Sequence, residues 1–301
     1  MGVCCVAPRG RRADAPGVGV LAMATTRDLS ARVIPYRLRR RPEERVRILG
    51  VEVDLVRPEE MLLFVSRSIE AGERTIIANH NLHSLSLVRR NPQMASFYRR
   101  ADLIELDSQP MIAWGRLTGR PTRPFHRCTY LDWRDLFWST AVKQGWRIFY
   151  LGGAPGVAET GAAALRQAWP ELKLQVRDGF FDARPDSADA MGVLDEIRSY
   201  APNVLLVGMG MPRQEIWIDL NADRLGPCVI FSVGAAMDYE AGVQAAAPRW
   251  MGRAGMEWLY RLVRDPARLA HRYLVEPWGV VPAALRDLCE LTFCRRPAAG
   301  P

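Results

Sequence analysis

From Arg45 onward the chain repeats one pattern: a short apolar run, then a longer stretch in which apolar positions recur every three or four residues. The short runs read as strands and the longer stretches as amphipathic helices. Val46–Val53 alternates as one strand, Pro58–Ala71 is a helix opened by proline, and Thr75–Ala78 is a short buried strand. A helix follows near Asn91–Arg100, then a strand over Leu103–Leu106 that ends at Asp107, then helices over Pro110–Gly119 and Leu131–Gly145. Arg147–Leu151 runs as a strand into Gly152-Gly153-Ala154-Pro155-Gly156 and a helix to Trp169. Leu172–Val176, Val204–Val207 and Val229–Val233 complete the strands, with helices over Ala188–Tyr200 and Pro212–Arg224 between them.

Short apolar strands separated by helices are the pattern of an α/β protein: a mostly parallel sheet with helices on both faces. After Gly242 no strand is legible. Trp250–Val263, Pro266–Leu274 and Val281–Phe293 read as helices, so residues 246–301 form a helical appendage to a core over 45–245. Residues 1–44 are rich in Arg, Ala, Gly and Pro and lack a sustained period, which reads as a disordered basic leader. Within it Val18–Ala24 is a poor signal-peptide core, and Met23 offers an alternative start. No apolar run is long enough for a transmembrane helix.

Charge sharpens this division. The 301 residues carry 41 Lys plus Arg against 33 Asp plus Glu, a net +8. The excess lies in the leader and in the appendage, while the middle is close to neutral. Basic ends attract nucleic acid, anionic lipid or phosphorylated ligands. Nucleic acid is set aside, because no basic stripe with interleaved aromatics and no zinc spacing occurs. Six cysteines without a Cys-x-x-Cys pair give neither a zinc site nor a disulfide framework and fit a reducing, cytosolic compartment.

In an open parallel sheet, ligands bind beyond the carboxyl ends of the strands. The residues there are Asn79-His80-Asn81, Asp107, Gly152-Gly153, Asp178-Gly179, Gly208-Met209-Gly210 and Gly234. Gly152-Gly153 and Gly208-Met209-Gly210 each stand between a strand and a helix, where backbone N–H groups can meet a phosphate. Pro212 suits a first helical position, which puts Gln214 and Glu215 in the first turn near the rim. Asp107 follows an apolar strand, and a poorly solvated carboxylate there has the raised pKa of a general base. Glu105, two residues earlier, faces the same side, and a Glu-x-Asp pair is also a candidate cation site, although no Asp-x-Asp occurs. In the appendage, Arg261, Arg264, Arg268 and Arg272 step by three or four among Trp258, Tyr260, Tyr273 and Trp278, a mixture suited to a membrane interface. Bland readings stand beside each of these: a tight turn at Gly152, helix-end charge at Glu215, structural histidines at His80 and His83, and a solvated arginine face.

In chain order, Asn81, Leu106-Asp107, Gly152-Gly153, Asp178-Gly179-Phe180-Phe181, Gly208-Met209-Gly210-Met211-Pro212-Arg213-Gln214-Glu215, Val233-Gly234-Ala235-Ala236-Met237-Asp238 and Glu257-Trp258-Leu259-Tyr260-Arg261-Leu262 resemble the WecG/TagA/CpsF family of bacterial glycosyltransferases. The resemblance runs from about Arg45 to Tyr273. It implies a Rossmann-like core and inverting transfer of a sugar from a UDP-sugar to a polyprenyl-diphosphate-linked saccharide in surface-polysaccharide synthesis. It also implies peripheral attachment to the inner membrane face, with no cofactor and no essential metal. The family's base falls on Asp107. Its Thr-x-Asn motif falls on Asn79-His80-Asn81, with Asn81 matching and Asn79 replacing Thr, and its Gly-x-Asp aspartate falls on Asp132. The appendage arginines fall on Arg261, Arg268 and Arg272. Gly152, Gly153, Gly208, Gly210, Pro212, Gln214, Glu215 and Asp238 are further expected substrate-binding positions, with the rim glycines holding the nucleotide. Two departures concern the donor or acceptor: Ser108 stands where the family has Gly, and Ala246 where it has Arg. A second subunit is a further candidate partner for the appendage. The rival classes are a non-catalytic nucleotide-binding membrane protein and a dinucleotide-dependent oxidoreductase, whose full fingerprint is missing.

Overall fold

The computed structural model describes residues 45–245, 247–248, 251 and 256–294. The leader expected over 1–44 lies outside them. The first described elements are β1 (Arg45–Ile48) and β2 (Val51–Asp54), an antiparallel hairpin in which Arg45 faces Asp54 and Ile48 faces Val51. The single strand expected over Val46–Val53 is therefore two. Leu49 at φ 53° and Gly50 at φ 83° make a two-residue turn with both residues left-handed, the twist that joins hairpin strands. Asp54 is buried and takes a two-pronged ion pair from Arg45, at 2.9 and 2.8 Å, while its Oδ2 also accepts from the Ile104 amide at 2.7 Å.

The main sheet has six strands: β3 (Thr75–His80), β4 (Leu103–Leu106), β5 (Arg147–Gly152), β6 (Lys173–Arg177), β7 (Val204–Gly208) and β8 (Val229–Ser232). Its order is β4-β3-β8-β7-β5-β6, and every neighbouring pair is parallel. Successive residues of each strand enter opposite cores. Ile77, Tyr150, Leu206 and Phe231 pack on one side with Trp133, Phe137 and Trp138, whereas Ala78, Leu151, Val207 and Ile230 pack on the other with Phe97, Trp217 and Ile218. Both faces are thus covered, which is why these strands read as continuous apolar runs.

The covering helices are α1 (Pro58–Glu70), α2 (Leu82–Val88), α3 (Pro92–Arg100), α4 (Gln109–Leu117), α5 (Tyr130–Gln144), α6 (Val157–Ala168), α7 (Ala188–Tyr200), α8 (Arg213–Asn221) and the short α9 (Ala236–Glu240). All but α2 and α9 were expected within a few residues. Pro212 caps α8 rather than opening it.

The appendage contains α10 (Glu257–Arg264) and α11 (Pro266–Ala270), then a π-helical turn at His271–Val275, a 3₁₀ turn at Glu276–Val280, and α12 (Val281–Cys294). The helix carrying Arg261 and Arg264 stops at Asp265, so the four arginines do not lie on one continuous helix. The segment from Gly279 through α12 packs on the core. Asp287 of α12, 3% exposed, accepts from the Leu49 amide at 2.8 Å and from Trp114 Nε1 at 2.9 Å. Arg89 donates to the Gly279 carbonyl, and Val280 and Ala283 join the apolar core. Among the described residues, no helix is long and apolar enough to cross a membrane.

Candidate active site

The carboxyl ends of the strands open onto a cleft of about 1090 Å3. Its rim is built of three glycine-bearing loops knitted together by backbone. A Cβ on Gly152 would stand 2.3 Å from the Gly208 carbonyl oxygen, and one on Gly208 would stand 2.3 Å from Tyr150 Oη and 2.5 Å from the Gly234 oxygen. The Gly153 amide donates to Gly208 at 3.1 Å, and the Gly179 amide donates to Gly153 at 3.0 Å. At Gly152 and Gly208 the missing side chain therefore serves the approach of one loop to another. Gly153, Gly208 and Gly210 line the cleft.

Gln214 does not stand free on the rim. It is 1% exposed, and its Oε1 accepts from the amides of Gly210 and Gly234, both at 3.1 Å, so that it ties two rim loops together. Its Nε2 donates to Glu215 Oε1 at 2.7 Å. Glu215 is fully buried with Oε2 unpartnered, and burial pushes its carboxyl up to about 7. The expected place of Glu215 near the rim is thus corrected: the first turn of α8 points this side chain into the protein.

On the other half of the sheet, Asn79 donates from Nδ2 to the Ser232 carbonyl at 2.7 Å, and its own carbonyl accepts from Tyr98 Oη at 2.8 Å. Asn81 is the N-cap of α2, its Oδ1 accepting from the Ser84 amide at 3.1 Å. Both asparagines line the cleft, as does Asp238.

Asp107 lies just past β4 with its amide bonded to the His80 carbonyl at 2.9 Å. Burial pushes its carboxyl up to about 7; the Arg127 and Arg261 guanidiniums oppose the rise, and Glu257 and Asp132 add to it. Asp107 also borders a second cleft, of about 350 Å3, whose walls include Leu82, Pro110, Trp258, Leu274 and Pro277. The carboxyl thus stands where a polar, glycine-rimmed cleft meets a more apolar one.

Arginines surround this junction. Arg127 donates to both carboxylate oxygens of Glu257, at 2.8 and 2.9 Å, and its Nε lies 3.6 Å from Asp132 Oδ2, so it joins core to appendage. Asp132 accepts from Thr129 Oγ1 at 2.8 Å, closing the start of α5; it acts on Arg127 rather than lining the cleft. Arg261 donates to Tyr239 Oη, which also accepts from Gln244 at 2.7 Å. Arg272 lines both clefts, and its buried Nε has no partner among the described residues. Glu276 holds His83 Nδ1 at 2.5 Å and pins the turn that carries Arg272. Arg268 lies in α11, and its side chain is outside the described residues.

The structure therefore brings together Asn79, Asn81, Asp107, Gly153, Gly208, Gly210, Gln214, Asp238, Arg261 and Arg272 around one cleft. Gly152, Pro212, Asp132 and Glu215 stand behind it. Sequence reading missed Arg127, Tyr239 and Glu276; Tyr239 directly follows the Val233–Asp238 stretch, while Arg127 and Glu276 sit in segments without a strand-to-glycine turn. Long-range pairings reveal them: Arg127 with Glu257, Tyr239 with Arg261 and Glu276 with His83.

Comparison with known proteins agrees with this geometry. The curated relatives include proteins from Staphylococcus aureus strains MW2, NCTC 8325 / PS 47 and MRSA252, each named N-acetylglucosaminyldiphosphoundecaprenol N-acetyl-beta-D-mannosaminyltransferase. Each is 25% identical over 235 residues, covering 75% of this chain and 87% of the relative. The sequence model of the glycosyl transferase WecG/TagA/CpsF family matches residues 46–292, from the first hairpin into α12. With that match spanning the cleft, the rim loops and the arginine-bearing appendage, the chain belongs to the WecG/TagA/CpsF family of glycosyl transferases.

Proposed function

We propose that this glycosyltransferase moves a hexosyl group from a UDP-sugar to a saccharide carried on a polyprenyl diphosphate, with inversion at the anomeric carbon. The observation that carries this reading is the position of Asp107, a carboxyl that ionises at about 7 where the two clefts meet. An acceptor hydroxyl bound to Asp107 from the smaller cleft attacks C1 of a donor in the larger one, and the carboxylate takes its proton. Attack from the face opposite the leaving group inverts the centre. Asn81, at the mouth of both clefts, orients the acceptor or the donor ring.

The departing UDP carries the developing negative charge. Arg261, Arg264 and Arg272 line the larger cleft and supply the counter-charge, so the reaction is expected to need no metal. The unpartnered Arg272 Nε supports an anionic ligand at that point. The apolar walls of the smaller cleft continue onto Leu274 and Val275 of the π-helical turn and Trp278 beside it, which is 74% exposed. Such a surface favours peripheral docking on an anionic membrane, where a polyprenyl carrier resides.

The test is turnover by the purified full chain. UDP release from a panel of UDP-sugars is measured with and without short-chain prenyl-diphosphate N-acetylglucosamine, and the anomeric configuration of the product is read by NMR. Acceptor-dependent UDP release with an inverted product is expected. Release that ignores the acceptor, or a retained configuration, would overturn the reading.

A further inference from the structure

The mechanism above leaves Glu105 unused. This third residue of β4 is 3% exposed, lines the larger cleft, and faces the same side of the strand as Asp107 two positions on. Its Oε1 accepts from the Cys128 thiol at 3.0 Å. Burial pushes its carboxyl up to about 8, the thiol opposing and Asp107 and Asp132 adding to the rise. At neutral pH it is a neutral acid, with one oxygen engaged by the thiol and the other able to carry a proton.

Trp133, from α5, stands on the same side of the sheet. It is 1% exposed, lines the same cleft, and its Nε1–H has no hydrogen-bond partner among the described residues. Buried donors are seldom left unpaired, and one on a cleft wall calls for an acceptor on the ligand. Across the sheet Glu105 is in register with Asn79, whose side chain is tied to Ser232. Two positions along a strand span about 6.6 Å. A pyranose ring whose C1 meets a nucleophile held at Asp107 is thus within reach of Glu105.

Building on the transferase reading, we propose that Glu105 and Trp133 form the floor of the subsite for the transferred sugar, where the carboxyl proton and the indole N–H donate to uncharged oxygen substituents of the hexosyl ring. The pair selects among donor sugars, and Cys128 positions the Glu105 carboxyl.

The experiment uses the full chain with UDP and with three sugar donors: UDP-N-acetylmannosamine, UDP-N-acetylglucosamine and UDP-glucose. Affinity is read by calorimetry and kcat/KM by UDP release. Glu105→Leu and Trp133→Phe are expected to leave UDP affinity unchanged and to lower kcat/KM for the preferred UDP-sugar by about tenfold or more. The preference among the three donors narrows with it. Glu105→Gln, which keeps an N–H donor, retains most of the activity. Equal losses for UDP and UDP-sugar, or an unchanged preference in both variants, would overturn the assignment. If Glu105→Leu does not fold, Trp133→Phe decides by the same two readouts. A wild-type chain that binds no UDP-sugar defeats the transferase reading itself. Normal wild-type turnover with unaltered variants defeats only this one.

Discussion

The acid limb of the pH–rate profile is the sharpest consequence of the site. Asp107 ionises at about 7 because burial outweighs the two guanidiniums beside it. On the proposed role of Asp107 as the base, which must be ionised to accept a proton, roughly half the enzyme is competent at pH 7 and roughly a tenth at pH 6. Below pH 7, kcat/KM should fall about tenfold per unit, and above it the rate should level off. The perturbations are Asp107→Asn and Arg127→Gln, assayed by UDP release at saturating acceptor between pH 5 and about 9. Asp107→Asn should lower turnover by about 10²–10⁴-fold and abolish the limb. Arg127→Gln removes a cation that favours the carboxylate, so its limb should move to higher pH. A wild-type midpoint near that of an ordinary aspartate, a limb that survives in Asp107→Asn, or an Arg127→Gln limb displaced toward acid would remove Asp107 as the base.

Three further outcomes follow from the same structure. Turnover should survive EDTA, since Arg261, Arg264 and Arg272 already line the larger cleft and can supply the counter-charge; loss in chelator with recovery in magnesium would make the Glu105/Asp107 pair a metal site. Asp287→Ala strands two buried donors, the Leu49 amide and Trp114 Nε1, at a cost of about 2–4 kcal/mol read as a lowered thermal midpoint, whereas Asp287→Asn should lose less. Glu105 holds in the folded chain a proton that the unfolded chain releases from near 4.5, so it costs stability progressively as pH rises to about 8 and no further above that. Denaturant titrations should show Glu105→Gln gaining on the wild type across that window by an amount on the order of a few kcal/mol; a constant difference would contradict it.

What could be read along the chain was what depends on near neighbours. Runs such as Val204–Gly208 declare buried strands by themselves, and the polar residue that ends each run falls at the ligand edge of a parallel sheet. That is how Asp107 and Asn79 were legible. The Leu49-Gly50 turn was hidden because leucine rarely adopts a left-handed φ, and the alternation of Val46–Val53 continues through it. The helix α2 was obscured because its cap, Asn81, stands in a stretch that also reads as a ligand motif. Gln214 and Glu215 lie side by side in sequence, yet one clamps loops and the other is sealed inside, a difference set by helix phase against the sheet. The Arg127–Glu257 contact joins residues 130 positions apart, and no local pattern announces it.

The place of β8 in the sheet has a consequence for how the chain is made. It is the last strand of the sheet in sequence, yet it sits in the middle, between β3 and β7. Thr75 waits for Val229, about 150 positions later. At ribosomal speeds of about 5–20 residues per second, β3 emerges roughly 8–30 s before its partner. Through that interval one edge of Thr75, Ile76 and Ile77 is unpaired, a template for any passing strand. Until β8 threads between them, the β4–β3 half and the β7–β5–β6 half share no strand pairing. Nascent chains stalled short of Val229 should therefore be the species that chaperones hold and that aggregate when released.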